Sequence, residues 1–221
     1  MRAWTLVGIL CGAAIAAGCA GTGVSRTDAM MDRLEEVGRI SASARADIDR
    51  ASSTLTSIVD GGGADPRPKF EQFRGELGAV SSARAGVDSA GAAFRSAMEA
   101  HFAAWERDAN AMQNPEIRAA SMKRRDEARA KMGSLEPALA EVASTFDPYL
   151  SNLRDIEKLL GADLSPGGVS AAAKTVRKAT DEAVRTKRAL QALEDAAGRI
   201  REELSVRRPE PEGAAGENAP Q

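Results

Sequence analysis

Two cysteines and one histidine are the only thiol and imidazole side chains in this 221-residue chain. Cys19 closes the run Ala16-Ala17-Gly18-Cys19, behind the short apolar stretch Leu6–Ile15 and the single positive charge of Arg2. Small residues before a cleavage point, an apolar segment of about ten residues and a basic start form a secretory signal pattern. A cysteine at that point is the acceptor of a lipobox, so residues 1–18 are expected to be removed and Cys19 lipidated. Cleavage near Ala17 or Gly18 with Cys19 incidental is the rival reading. Ala16 stands where a lipobox usually has Leu. Ala20, rather than Asp, follows the cysteine, which points to the outer membrane and its periplasmic face. The apolar stretch is too short for a spanning helix, which needs about 20 apolar residues.

Removal of the signal would take Cys11 with it and leave Cys19 occupied by lipid. No thiol would remain for a disulfide, a metal or a nucleophile. His101 has no second histidine or cysteine near it, so no metal site or nucleophilic dyad is expected. Its neighbours Phe102 and Trp105 suit packing better than a ligand platform. Gly61-Gly62-Gly63 lacks a following Lys-Ser/Thr and a preceding strand, so it is no phosphate loop. No cofactor and no catalysis are expected.

These residues must be positioned by helices. Aromatic residues make up only 4% of the chain and charged residues 28%, a balance that favours long amphipathic helices over a sheet. The formal net charge of −2 becomes −3 without Arg2, which gives nucleic-acid binding no electrostatic support. Apolar or small residues recur at alternating spacings of three and four in four stripes. The first runs from Leu34 to Ile58 and the second from Phe70 to Trp105. The third runs from Ala128 through Leu139, Phe146 and Leu153 to Leu160, and the fourth from Val169 to Leu204. Breakers separate them at residues 60–68, 113–116 and 161–168. Short connections make sequential helices antiparallel neighbours. The expected fold is all-α, an elongated antiparallel four-helix bundle with coiled-coil character. Residues 1–18 form the signal peptide, 19–26 a lipidated tether, 27–204 the bundle and 205–221 a disordered tail. Pro137 and Pro148 fall inside the third stripe, whose phase passes through both; each predicts a kink rather than an end.

Phe102-Ala103-Ala104-Trp105-Glu106, then Asn114, Ile117, Arg118 and Ser121, then Met132 and Glu136-Pro137-Ala138-Leu139 carry a resemblance. On these residues the chain, from about 29 to 204, resembles the bacterial lipoprotein family known as domain of unknown function 2959. The resemblance implies a lipoprotein signal and a helical fold, and it implies no reaction. Leu159-Leu160-Gly161-Ala162-Asp163-Leu164 stands where that family tends to a polar, Asn-containing stretch, and Pro148 also departs from it.

Two constellations remain. Antiparallel topology brings Lys123, Arg124, Arg125, Arg207 and Arg208 to the end where Cys19 leaves, as a candidate contact for anionic headgroups. Pairing with Asp126, Glu127, Glu202 and Glu203 on a solvated face is the alternative. Ser41, Arg84 and Thr186 interrupt the apolar stripes at similar expected heights, a candidate polar layer across the middle of the bundle that would set register. The expected function is that of a membrane-anchored scaffold that binds a protein partner or a second copy of itself. The alternative is a binding module for a small apolar or lipid-like molecule held between Ala-rich helices.

Overall fold

The computed structural model describes residues 23–61 and 65–204. Among them there is no strand. The helices are α1 (Gly23–Val59), α2 (Arg67–Asn110), α3 (Pro115–Gly133), α4 (Leu135–Ala162) and α5 (Pro166–Leu204). Cys19 and the signal segment, residues 62–64, Arg207, Arg208 and the tail at 205–221 lie outside the described residues. The fold is an antiparallel four-helix bundle in which α3 and α4 share the third position. α1 packs beside α2 and α5, and α4 beside α5 and α2. At about 1.5 Å per residue, the 44 residues of α2 make the bundle about 66 Å long.

The stripes become the core. Leu34, Val37, Ala44, Ile48, Ala51, Leu55 and Ile58 of α1 are all buried. They meet Phe73, Val80 and Phe94 of α2, Phe146, Leu153 and Ile156 of α4, and Val176, Leu190 and Leu193 of α5, in one continuous cluster. Each large apolar side chain removed from water contributes roughly 1.5–3 kcal/mol. Alanines at 44, 51, 172, 179, 183 and 197 are buried, at most 2% exposed, so α1 and α5 approach closely without large side chains between them. Tyr149 sits on the bundle axis, fully buried, with its hydroxyl 3.2 Å from Ser52 Oγ. Burial pushes its pKa up to about 12, against the opposing pull of the Ser52 hydrogen bond.

Local chemistry sets the ends. Asn114 Oδ1 accepts the backbone N–H groups of Glu116 and Ile117 at 2.9 and 3.2 Å, with Pro115 in the first helical position. Ser165 Oγ accepts Gly168 N–H at the start of α5, and Asp163 Oδ1 accepts Ser165 N–H at 2.9 Å. A Cβ on Gly168 would fall 2.1 Å from the Asp163 carbonyl oxygen, so only glycine fits there.

The bounds differ from the sequence expectation in two places. α1 begins at Gly23, inside the segment assigned to a tether. No breaker follows Gly23, and Arg26 is paired with Asp108 of α2, so the helix extends backwards onto a partner. The third stripe is not one helix kinked at Pro137. It ends at Gly133, and a new helix begins at Leu135 after the single residue Ser134. Pro137 lacks the N–H that would bond the Gly133 carbonyl, and its ring clashes with that carbonyl. The chain therefore restarts, leaving Pro137 in the first turn of α4, where a missing donor costs little. Pro148 does lie within α4, as expected.

Candidate functional site

The end of the bundle where α1 begins also holds the α2–α3 turn and the end of α5. Three aromatic rings of α2 stand there. His101 packs edge-on against Phe102 and Trp105, with centroids 5.2 and 5.7 Å away. Phe102 and Trp105 lie nearly parallel at 6.3 Å. Trp105 Nε1 donates to Ser121 Oγ of α3 at 3.0 Å, and Arg129 of α3 lies 5.8 Å above the Phe102 ring. His101 is 7% exposed, and its Nδ1 has no hydrogen-bond partner among the described residues. Burial first, then the Arg26 charge, holds its pKa below the ordinary histidine value. The ring is therefore neutral at pH 7.

The residues that carry the family resemblance run from this end of the bundle along α3 into α4. Asn114 caps α3, and Arg118 closes the turn by donating to the Met112 carbonyl at 2.6 and 3.1 Å. Trp105 and Ser121 tie α3 to α2. Met132 enters the core, Glu136 forms a two-pronged pair with Arg95, and Leu139 seats against Gly91. They hold two helices in register, and none of them forms a reactive pair.

The predicted basic cluster is divided by the fold. Arg125 is drawn in, bonded to Asp126 at 2.7 Å and to Glu106 of α2 at 3.1 Å, with a side chain only 13% exposed. Lys123 reaches Glu127 at 4.0 Å. Arg124 is exposed and, among the described residues, has no carboxylate within 4 Å. Arg207 and Arg208 lie outside the described residues.

The three polar stripe positions also part company. Thr186 is fully buried, and its hydroxyl lies 3.0 Å from the Thr145 carbonyl of α4 and 2.9 Å from that of Glu182. Thr145 follows Ser144, whose carbonyl loses its helical donor to Pro148. Arg84 reaches the same stretch of α4 through Asp147 at 2.8 Å and also pairs with Asp88. Burial opposes its charge, and the two carboxylates more than offset this, holding its pKa above the ordinary arginine value. Ser41 instead turns its hydroxyl onto its own helix, at the Val37 carbonyl. Two of the three thus meet α4 just before Pro148, and the third stands apart.

Sequence reading missed a row of ion pairs along α2. Arg74–Glu157, Arg84–Asp147, Arg95–Glu136 and Glu106–Arg125 follow one another every ten or eleven residues. They hold one antiparallel register straight across the break at Ser134. The exposed pairs Arg74–Glu157 and Arg95–Glu136 are worth about 0–1 kcal/mol each, so they mark register more than they stabilise. The three-turn spacing of Arg74, Arg84, Arg95 and Glu106 is visible in the sequence, but their partners are not.

Among the described residues, no three His, Cys, Asp or Glu side chains converge as a metal site, and no helix is long and apolar enough to cross a membrane. No curated protein matches the chain. Residues 18–202 match the family described as Protein of unknown function (DUF2959), and the chain belongs to that family.

Proposed function

We propose that this protein is an envelope lipoprotein, held by acylated Cys19 on the periplasmic face of the outer membrane, whose bundle is a scaffold for a protein partner or a second copy. The observation that supports this most is where the chain leaves the bundle. α1 starts at one end of a rod about 66 Å long, only four residues after Cys19. A lipid there would fix the rod by its tip and leave its charged sides available. The side chains suit contact rather than chemistry: the interior is mostly apolar, and the paired polar groups serve register and caps. The basic residues of α3 at the same end would add attraction to anionic headgroups, at about 1 kcal/mol per unpaired charge near the surface.

The test is crosslinking in cells followed by purification of the lipidated chain. The expected result is an acylated Cys19 by intact mass and one reproducible crosslinked protein, lost or redistributed in Cys19→Ser. A membrane-bound chain without acyl groups would overturn the anchor. Absence of any discrete crosslinked species, across reagents of several lengths, would overturn the scaffold.

A further inference from the structure

At the α1-start end, a cleft of about 410 Å³ opens between α1, α2, α3 and the end of α5. That is within the range of small-ligand pockets. Six of its twelve lining residues are apolar, Met30 and Met31 of α1, Trp105 of α2, Ala128 and Met132 of α3 and Leu204 of α5, and Thr27 of α1 lies among them. Three of these six are methionines, whose flexible thioethers adapt to an irregular apolar guest. His101 also lines the cleft, and its neutral ring brings no charge to it.

Four charged residues stand at the mouth: Arg124, Lys131, Glu127 and Glu203. Three are engaged, Lys131 with Glu203 at 3.1 Å and Glu127 with Lys123 at 4.0 Å. Arg124 alone, among the described residues, has no carboxylate within reach. A mixed cleft with one apolar wall and one uncommitted guanidinium beside it complements one apolar chain ending in one anion. A planar guanidinium pairs best with a carboxylate, through two parallel hydrogen bonds.

We propose that this cleft binds a free long-chain fatty acid, its carboxylate on Arg124 and its chain between Met30, Met31, Trp105, Ala128, Met132 and Leu204. This goes beyond the scaffold reading and needs neither the lipid anchor nor a protein partner. It also places a lipid-like ligand at the end of the bundle instead of between the Ala-rich helices of its middle.

Trp105 reports on the cleft directly. With Trp4→Phe, it is the only tryptophan, since the chain has two. The full chain carrying that change is reconstituted in neutral phosphatidylcholine vesicles and titrated with dibrominated stearate, a short-range quencher. The expected result is saturable quenching of Trp105, with brominated fatty alcohol at least tenfold weaker. Ala128→Phe fills the slot without removing a buried side chain, and Arg124→Glu reverses an exposed charge. Each should raise the half-saturating concentration about tenfold or more while far-UV circular dichroism stays unchanged. Equal quenching by brominated phosphatidylcholine in the bilayer would overturn the proposal, since Trp105 would then be touching the membrane. Absent or unsaturable quenching, or indifference to both variants, would overturn it as well. A response to Ala128→Phe without one to Arg124→Glu would overturn the fatty acid as ligand.

Discussion

α3 and α4 run end to end along one side of the bundle, yet different forces hold them. α4 buries nine of its 28 residues, whereas α3 buries one of 19, Met132. α4 lies between α5 and α2 and places Phe146, Tyr149, Leu153 and Ile156 on the axis of the core. α3 rests mainly on α2. Its attachments are small and specific: the Asn114 cap, the Trp105–Ser121 hydrogen bond, and the Arg125–Glu106 pair. A helix packed on two neighbours derives its stability from buried area, and one packed on a single neighbour depends on its ends and a few polar contacts. The same chain direction and register therefore produce a rigid half and a lightly held half. The lightly held half carries both the unpaired Arg124 and one wall of the cleft.

The largest effect should fall on α4. Leu153→Ala removes a fully buried side chain from the centre of the core and should cost about 2–5 kcal/mol by urea unfolding. Ile117→Ala, at a position 57% exposed on α3, should change stability by less than about 0.5 kcal/mol. Similar losses from the two would break the contrast between the helices.

A second substitution sharpens it. Asn114→Ala removes the acceptor of two backbone N–H groups and should cost about 1 kcal/mol. Because α3 has little else to hold it, the loss should appear locally. Amide exchange should speed up at 116–121 and stay unchanged in α4. Uniform acceleration through both helices would mean that they unfold as one unit.

Much of this was legible in the sequence because the bundle uses one simple rule. Every position of the first stripe, from Leu34 to Ile58, is buried, and so are nearly all of the other three. The topology followed from the breakers. What could not be read has physical reasons. Met132 and Leu135 keep their three-residue spacing and both reach the core, so a single-residue interruption between them leaves no trace in the periodicity. The thin burial of α3 was hidden too. Its stripe begins only at Ala128, and the sequence does not show whether a helix has one neighbour or two. The basic run at 123–125 looked uniform, but whether Arg125 finds Glu106 across the hairpin depends on register between α2 and α3. Arg84 and Thr186 stood out as polar residues on apolar stripes at the height of the stretch between Pro137 and Pro148, whereas their individual partners there, Asp147 and the Thr145 carbonyl, could be seen only once the helices were side by side.

The smallest effects concern the join itself. Gly133 is the last residue of α3, and a Cβ there would meet nothing within 4 Å. Gly133→Ala should therefore stabilise by up to about 0.5–1 kcal/mol, through backbone entropy alone, and leave the interruption in place. Pro137→Ala should do the reverse. It restores the N–H that the Gly133 carbonyl lacks and removes the ring that clashes with it, so the hydrogen-bond ladder can run on through Ser134, whose backbone is already right-handed at φ −65° and ψ −11°, and α3 and α4 can fuse. Little net stability is expected to follow, within about 0.5 kcal/mol. Ser134 would lose its present bonds to the Lys131 carbonyl, 2.6 Å from its hydroxyl and 3.2 Å from its backbone nitrogen. Met132 and Leu135 are already buried and would gain nothing. The readout is thus hydrogen exchange: a protected amide at position 137 and slower exchange at 135 and 136 in Pro137→Ala, with no slowing at 135 and 136 in Gly133→Ala. An interruption that persists without the proline would assign it to the different seats of α3 and α4 on their neighbours, and the contrast between the two halves would then be the cause of the break rather than its consequence.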